Sequence, residues 1–274
     1  MARPKRHLGQ HFLFDPRILA RIADATGAGP GDTVLEIGPG RGPLTAALLA
    51  RAGRVVAIER DADLVPALRE RFPALEVVAG DALAEDWHAR AGIAGPESAA
   101  RWVVTGNIPY NITSPLLDKA LQPPRPRVVV FLVQREVADR LAAAPGSAEY
   151  GALTVGVQVV ATVEKLFAVP AGAFRPPPKV DSAVVRLVPR PDPLVRDAEA
   201  AAFRRFVVGL FGFRRKQLGR ALREQTGRPA AWCVAVLERT GLAPAARCET
   251  LSPAAFVALF RACVDAPEDE GVAS

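Results

Sequence analysis

"TVLEIGPGRGPLT", Thr33 to Thr45, passes from a short apolar run through three glycines into a helical pattern. A brief, nearly continuous apolar segment rich in β-branched residues reads as a strand buried on both faces. Gly38, Gly40 and Gly42 then make a loop whose backbone can approach a ligand closely. "PLTAALLAR" beyond it has helical spacing. The spacing is G-x-G-x-G, with Glu36 two residues ahead; it is not the dinucleotide fingerprint, because Pro43 stands where the third glycine of that fingerprint would be. A tight strand-to-helix turn without a ligand has the same letters, so this segment alone leaves both readings open.

The same unit recurs on either side. "RVVAIE" (54–59), "LEVVAG" (75–80), "RWVVTG" (101–106) and "RVVVFLVQ" (127–134) read as further buried strands, separated by helical stretches such as "DADLVPALRERF" and "SPLLDKALQ". Alternation of this kind predicts an α/β fold with a doubly wound, mainly parallel sheet. After "PPPKVDSAVVRLVPRPDP" only helical patterns remain, near 199–210, 214–225, 230–239 and 252–264. The expected division is therefore a domain over 1–190 with a basic N-terminal arm, a small all-helical domain over 191–265, and a disordered tail over 266–274.

Composition narrows the setting. The chain has 274 residues, half of them hydrophobic, and no apolar run reaches the ~18 residues a membrane-spanning helix needs. The N-terminal stretch is basic and lacks the apolar segment of a secretory signal, so a soluble, cytoplasmic protein is expected. Cys233, Cys248 and Cys263 form no Cys-x-x-Cys pair and have no histidine nearby, which argues for buried thiols in a reducing compartment and for no metal site. The net charge is +6, but its distribution says more. Between Ala200 and Arg223 stand Arg204, Arg205, Arg214, Arg215, Lys216, Arg220 and Arg223 with no acid among them; Arg3, Lys5 and Arg6 form a second acid-free cluster. One-sign clusters are the footprint of phosphate contacts, although a solvated helix face would also be basic.

Strand ends carry the candidate site. Glu59 closes the second predicted strand 21 residues after Gly38, where an acid takes the ribose hydroxyls of a bound nucleoside in such folds. Asp81 follows the third strand, placed to accept a hydrogen bond from an adenine amino group. The fourth strand runs into "NIPY", Asn107 to Tyr110. An exocyclic adenine amine is a poor nucleophile because its lone pair is delocalised into the ring. To attack a methyl group, its hydrogens must be held by acceptors. The Asn107 side-chain oxygen and the backbone carbonyl of Ile108 supply two, Pro109 fixes the chain direction, and Tyr110 offers a face on which an extruded base can stack.

At these residues the chain resembles a known family. "GQHFLFD", "LEIGPGRGPLT", "VVAIERD", "GDAL", "GNIPYNITSPLL", "QREVADRL", "FRPPPKVDSAVVRL" and "RRKQLGRAL" are similar, in order, to segments of the bacterial small-subunit ribosomal RNA adenine dimethyltransferases, from about His7 to about Leu259. The resemblance implies a Rossmann-like domain plus a small helical domain, S-adenosylmethionine as methyl donor, and N6,N6-dimethylation of two adjacent adenines in the 3′-terminal hairpin loop of 16S rRNA during 30S subunit biogenesis. It implies that His11 and Leu13 close over the donor, that Gly38 and Gly40 lie against its methionine part, that Glu59 holds its ribose, and that Asp81 with Ala82 holds its adenine. Asn107 would touch donor and target base, and Phe174 would be a second aromatic covering the flipped base. His11 departs from the family, which often has asparagine there. Arg214, Arg215, Lys216, Arg220 and Lys179 are the expected RNA contacts. The implied partner is 16S rRNA in the small subunit or its precursor, met by a monomer. Two rivals share part of the pattern: the antibiotic-resistance adenine methyltransferases of 23S rRNA, and a ribosome-assembly factor whose catalysis is secondary.

Overall fold

The computed structural model describes residues 10–266. Arg3, Lys5 and Arg6 of the basic arm, and 267–274 of the expected tail, lie outside the described residues. Within them the chain forms nine strands: β1 (Phe12–Leu13), β2 (Thr33–Ile37), β3 (Arg54–Glu59), β4 (Leu75–Ala79), β5 (Trp102–Asn107), β6 (Val128–Gln134), β7 (Ala161–Val169), β8 (Phe174–Arg175) and β9 (Ser182–Pro189). The helices of the first half are α1 (Pro16–Ala25), α2 (Pro43–Leu49), α3 (Val65–Arg71), α4 (Trp87–Ala91), α5 (Pro96–Ala99) and α6 (Thr113–Ala120). Those of the second are α7 (Arg135–Leu141), α8 (Ala152–Gln158), α9 (Ala200–Gly212), α10 (Leu218–Thr226), α11 (Ala230–Arg239) and α12 (Pro253–Asp265). None is long and apolar enough to cross a membrane.

Seven strands form one sheet in the order β4-β3-β2-β5-β6-β9-β7. The neighbours from β4 to β6 pair in parallel, as their apolar runs predict; β9 pairs antiparallel with both β6 and β7, so the sheet is mixed. The antiparallel pair escaped the sequence reading for different reasons. β7, "ATVEKLFAV", carries exposed charge at Glu164 and Lys165 and so lacks the continuous apolar run of its neighbours. β9 is buried at Ser182, Ala183, Val184, Val185 and Leu187, but follows directly on a proline-rich turn.

The chain builds outward from β2 to β3 and β4, then returns to place β5 on the other side of β2. Such a reversal opens a crevice beyond the carboxyl ends of the two central strands. Gly106 lets them meet there: a Cβ at this position would lie 2.4 Å from the Ile37 carbonyl oxygen. Leucines and valines of β2, β3, β5 and β6 pack with Leu19 and Ile22 of α1 and Leu44 and Leu48 of α2 to form the core below the crevice.

The chain divides into two compact units. Among the described residues, one comprises 10–139 and 161–189, the other 140–160 and 190–266. The expected single division near residue 190 therefore misplaces 140–160. That segment contributes α8, which buries Thr154, Val155 and Val157, and it is tied into the helical unit by Tyr150, whose hydroxyl donates to the Leu251 carbonyl at 2.7 Å. The Gly146 amide likewise donates to the Glu249 carbonyl at 2.8 Å.

Candidate active site

Four backbone segments converge at the crevice. The loop after β2 holds Gly38, Gly40 and Gly42 at φ of 67°, 60° and 79°, left-handed values that glycine adopts without strain. Together with the ends of β3, β4 and β5 it lines a cleft open to solvent. His11, Leu13, Gly38, Gly40, Glu59, Asp81, Ala82, Asn107, Pro109 and Tyr110 all line it, so residues scattered over a hundred positions are brought together.

Two buried carboxylates sit side by side at its base. Glu59 receives the Gly40 amide on Oε2 at 2.9 Å and the Asp61 amide on Oε1 at 2.7 Å, which fixes the carboxylate and leaves each oxygen a further lone pair. Burial pushes its pKa up, while the two backbone donors pull it down. Glu36, which the sequence reading noted without assigning a role, is fully buried at the end of β2 and accepts from the Thr45 hydroxyl at 2.6 Å. Burial pushes its pKa from 4.5 to about 8; the Thr45 hydrogen bond opposes this and the charge of Glu59 adds to it.

This sets a pH dependence. A carboxyl whose folded pKa lies above its unfolded value favours the fold while both states are protonated. Its contribution is lost as pH rises from about 4.5 to about 8, and is flat beyond. Glu36→Gln, which cannot ionise, should therefore gain in melting temperature over the parent across that window, by ~5 °C or more. Calorimetric scans from pH 4 to pH 9 test it; parallel profiles for the two proteins would contradict the assignment.

The arm before α1 roofs the cleft and is fastened at several points. Gln10 Nε2 donates to Asp61 Oδ2 at 2.9 Å, β1 pairs with β8, and the His11 ring meets the Pro176 carbonyl through Nδ1 at 2.8 Å. A carbonyl oxygen accepts only, so Nδ1 carries the proton. Asn107 Nδ2 donates to the backbone carbonyl of His11 at 2.8 Å. This bond settles the amide orientation: with Nδ2 turned to the arm, Oδ1 is the atom left to accept from a ligand. Phe12, between the two arm residues picked out from sequence, also lines the cleft, and a Cβ on Gly40 would come within 3.0 Å of its ring.

Tyr110 is held as firmly. Its hydroxyl shares a 2.7 Å hydrogen bond with Ser182 Oγ at the start of β9, and its ring lies near-parallel to that of His11, with centroids 6.0 Å apart. Burial raises the phenol's pKa. Ser182 went unnoticed in the sequence, since its partner is 72 residues away and only the antiparallel strand brings them together. Asp81 is partly committed, accepting the Leu83 amide on Oδ1 at 2.9 Å and lying 3.5 Å from Arg60 through Oδ2.

One expectation needs correction. Phe174 does not line the cleft; at 1% exposure it packs in the core on β8, opposite Leu13, the packing position of a phenylalanine beside a rigid proline turn. The basic cluster is less uniform than its letters. Arg214, Arg215 and Lys216 precede α10 in a turn, and Glu224, one residue past the acid-free run, pairs with Lys216 at 2.9 Å and Arg220 at 3.6 Å. Arg214 donates to the Ala148 carbonyl at 2.9 Å. Arg215 is exposed and has no hydrogen-bond or ion-pair partner among the described residues.

The residues present fit a nucleoside-bearing methyl donor: a side-chain-free glycine loop, a fixed carboxylate with spare lone pairs, and apolar walls from Ile37 and Ile58.

Known proteins support this. The family model described as "Ribosomal RNA adenine dimethylase" matches residues 1–264. The small-subunit ribosomal RNA methyltransferase A of Geobacter metallireducens is 43% identical over 95% of both chains. That of Myxococcus xanthus is 42% identical over 95% of this chain and 91% of its own. Among solved structures, a dimethyladenosine transferase from Plasmodium falciparum is 29% identical with a TM-score of 0.76, covering 91% of this chain and 96% of that one. The 23S rRNA methyltransferase ErmE is 31% identical with a TM-score of 0.71, over 92% and 98%. The chain thus belongs to the ribosomal RNA adenine dimethylase family, enzymes that take their methyl groups from S-adenosylmethionine.

Proposed function

We propose that the protein dimethylates N6 of two adjacent adenines in the 3′-terminal hairpin loop of 16S rRNA, acting in the cytoplasm as a monomer on the small subunit or its precursor. The observation that carries the reading is the Asn107 amide, turned so that Oδ1 is its available acceptor at the mouth of the cleft. The 23S alternative is disfavoured because the relatives at 42–43% identity bear small-subunit names, whereas the 23S enzyme stands at 31%.

S-adenosylmethionine, when bound, supplies an electrophilic sulfonium methyl for an in-line displacement. Glu59 would hold its ribose hydroxyls, the Gly38 loop its methionine part, and Asp81 with Ala82 its adenine. The protein's own work is alignment. Asn107 Oδ1 and the Ile108 carbonyl accept the hydrogens of the target amine, which keeps its lone pair on nitrogen as the centre becomes tetrahedral. Tyr110, pinned by Ser182, presents its ring to the extruded base. The methylated nitrogen, acidic while it carries the positive charge, then loses one proton to solvent and keeps one hydrogen, so a second round on the same atom is possible. Mapping methylated adenines in RNA from cells with and without the protein tests the proposal; unchanged small-subunit RNA would refute it.

In the helical unit the charges forecast unequal roles. Since Lys216 and Arg220 are partly neutralised by Glu224, Arg215→Ala should weaken small-subunit binding more than either Lys216→Ala or Arg220→Ala. Removing Arg214, Arg215, Lys216 and Arg220 together should flatten the salt dependence by ~0.7 to 0.9 log units per lost phosphate contact and leave donor affinity unchanged. Lys179, exposed on the turn before β9, is a further candidate contact. Salt titrations of binding measure both effects; a fourfold variant binding like the parent at every salt concentration would remove this surface from the RNA interface.

A further inference from the structure

Phe14 departs from the residues just before it. Phe12 and Leu13 line the cleft, and Leu13 is buried, yet Phe14 is 46% exposed. Its mount is rigid. The Phe14 amide donates to the Ala173 carbonyl at 3.1 Å, and the next residue, Asp15, caps α1 by accepting the Arg17 amide at 2.8 Å. Above the ring, the Arg175 guanidinium carbon lies 4.8 Å from the centroid. Arg175 pairs opposite Phe12, and the carbonyl of the following Pro176 holds the His11 ring that stacks on Tyr110. Two stacked pairs of flat groups are therefore joined through the arm and the strand it pairs with: Tyr110 with His11, and Arg175 over Phe14. Arg17, Arg175 and Lys179 are all exposed, and none has a carboxylate partner among the described residues.

We propose that Phe14 and Arg175 form a stacking platform for an unpaired nucleobase of the RNA substrate, one flanking the adenine held in the cleft. The proposal rests on the RNA-methylation reading. Single-stranded nucleic acid is the occupant these features fit: aromatic and guanidinium faces stack on any base, and unpaired cations beside them follow a phosphate backbone. An acidic peptide would meet the cations but has no use for two adjoining flat faces. A lipid surface would call for a broader apolar area than one ring.

The test uses the full-length protein and a hairpin RNA in which 2-aminopurine replaces the nucleotide beside the target adenine. Stacking quenches this fluorophore, so quenching is expected with the parent protein and with Phe14→Trp, and its loss with Phe14→Ala and Phe14→Leu. Leucine keeps the apolar bulk but not the flat face. With undermethylated small subunits, Phe14→Ala should raise KM ~10-fold, within the ~5- to 150-fold range that one base stack represents, while kcat and S-adenosylmethionine affinity stay within about twofold. Arg175→Ala should raise KM less. Parent-like quenching and KM in both Phe14→Ala and Phe14→Leu would overturn the platform. If the parent methylated large-subunit RNA instead, the substrate assignment would fall, and the same substitutions measured on that RNA would still decide the platform.

Discussion

Asn107→Ala should lower the single-turnover rate of methyl transfer by ~10²- to 10³-fold while leaving the fold intact, the range seen when one aligned transition-state hydrogen-bonding group is removed. The reason lies in what each end of the amide does. Nδ2 is spent on the His11 carbonyl at 2.8 Å, and Oδ1 is left for the target amine. As the attacking nitrogen becomes tetrahedral its hydrogens grow more acidic, so an acceptor fixed in advance gains most in the transition state. Asn107→Asp separates the two ends: it retains acceptor oxygens but cannot donate to His11, so it should also be slow and should loosen the arm. Near-parental rates in the alanine variant would remove Asn107 from the chemistry.

Glu59→Ala should act on a different step. It removes the acceptor proposed for two ribose hydroxyls and strips the Gly40 and Asp61 amides of their partner. Each hydrogen bond to a charged group is worth ~1.5 to 3 kcal/mol, so S-adenosylmethionine affinity should fall by at least ~100-fold. Tyr110→Ala should do the reverse, leaving donor affinity nearly unchanged and lowering turnover, since a lost base stack costs ~1 to 3 kcal/mol. Titration calorimetry with the donor, set beside steady-state kinetics, distinguishes the two. If the phenotypes were exchanged, the donor and base would have to trade places in the cleft.

What could be read from sequence divides along physical lines. β2 to β6 were legible because parallel strands buried on both faces leave continuous apolar runs, and Glu59, Asp81 and Asn107 were legible because each ends such a run. Contacts that depend on antiparallel pairing across the fold were not. Ser182 meets Tyr110 only because β9 folds back beside β6, and α8 leaves the first unit although nothing in "YGALTVGVQVV" marks a boundary. Phe174 illustrates a further limit, since a motif names an aromatic without saying which way its ring turns. Glu224 illustrates another: an acid-free window ended one residue before the acid that pairs with two of its cations.

The measurement that bears most directly on the whole account is nucleoside analysis of small subunits lacking adenine dimethylation, incubated with the purified protein and S-adenosylmethionine bearing an isotopically labelled methyl group. The expected product is N6,N6-dimethyladenosine at two adjacent positions of the 3′-terminal hairpin of 16S rRNA, approaching four labelled methyl groups per subunit. Label confined to 23S rRNA, or absent from adenine N6, would contradict it.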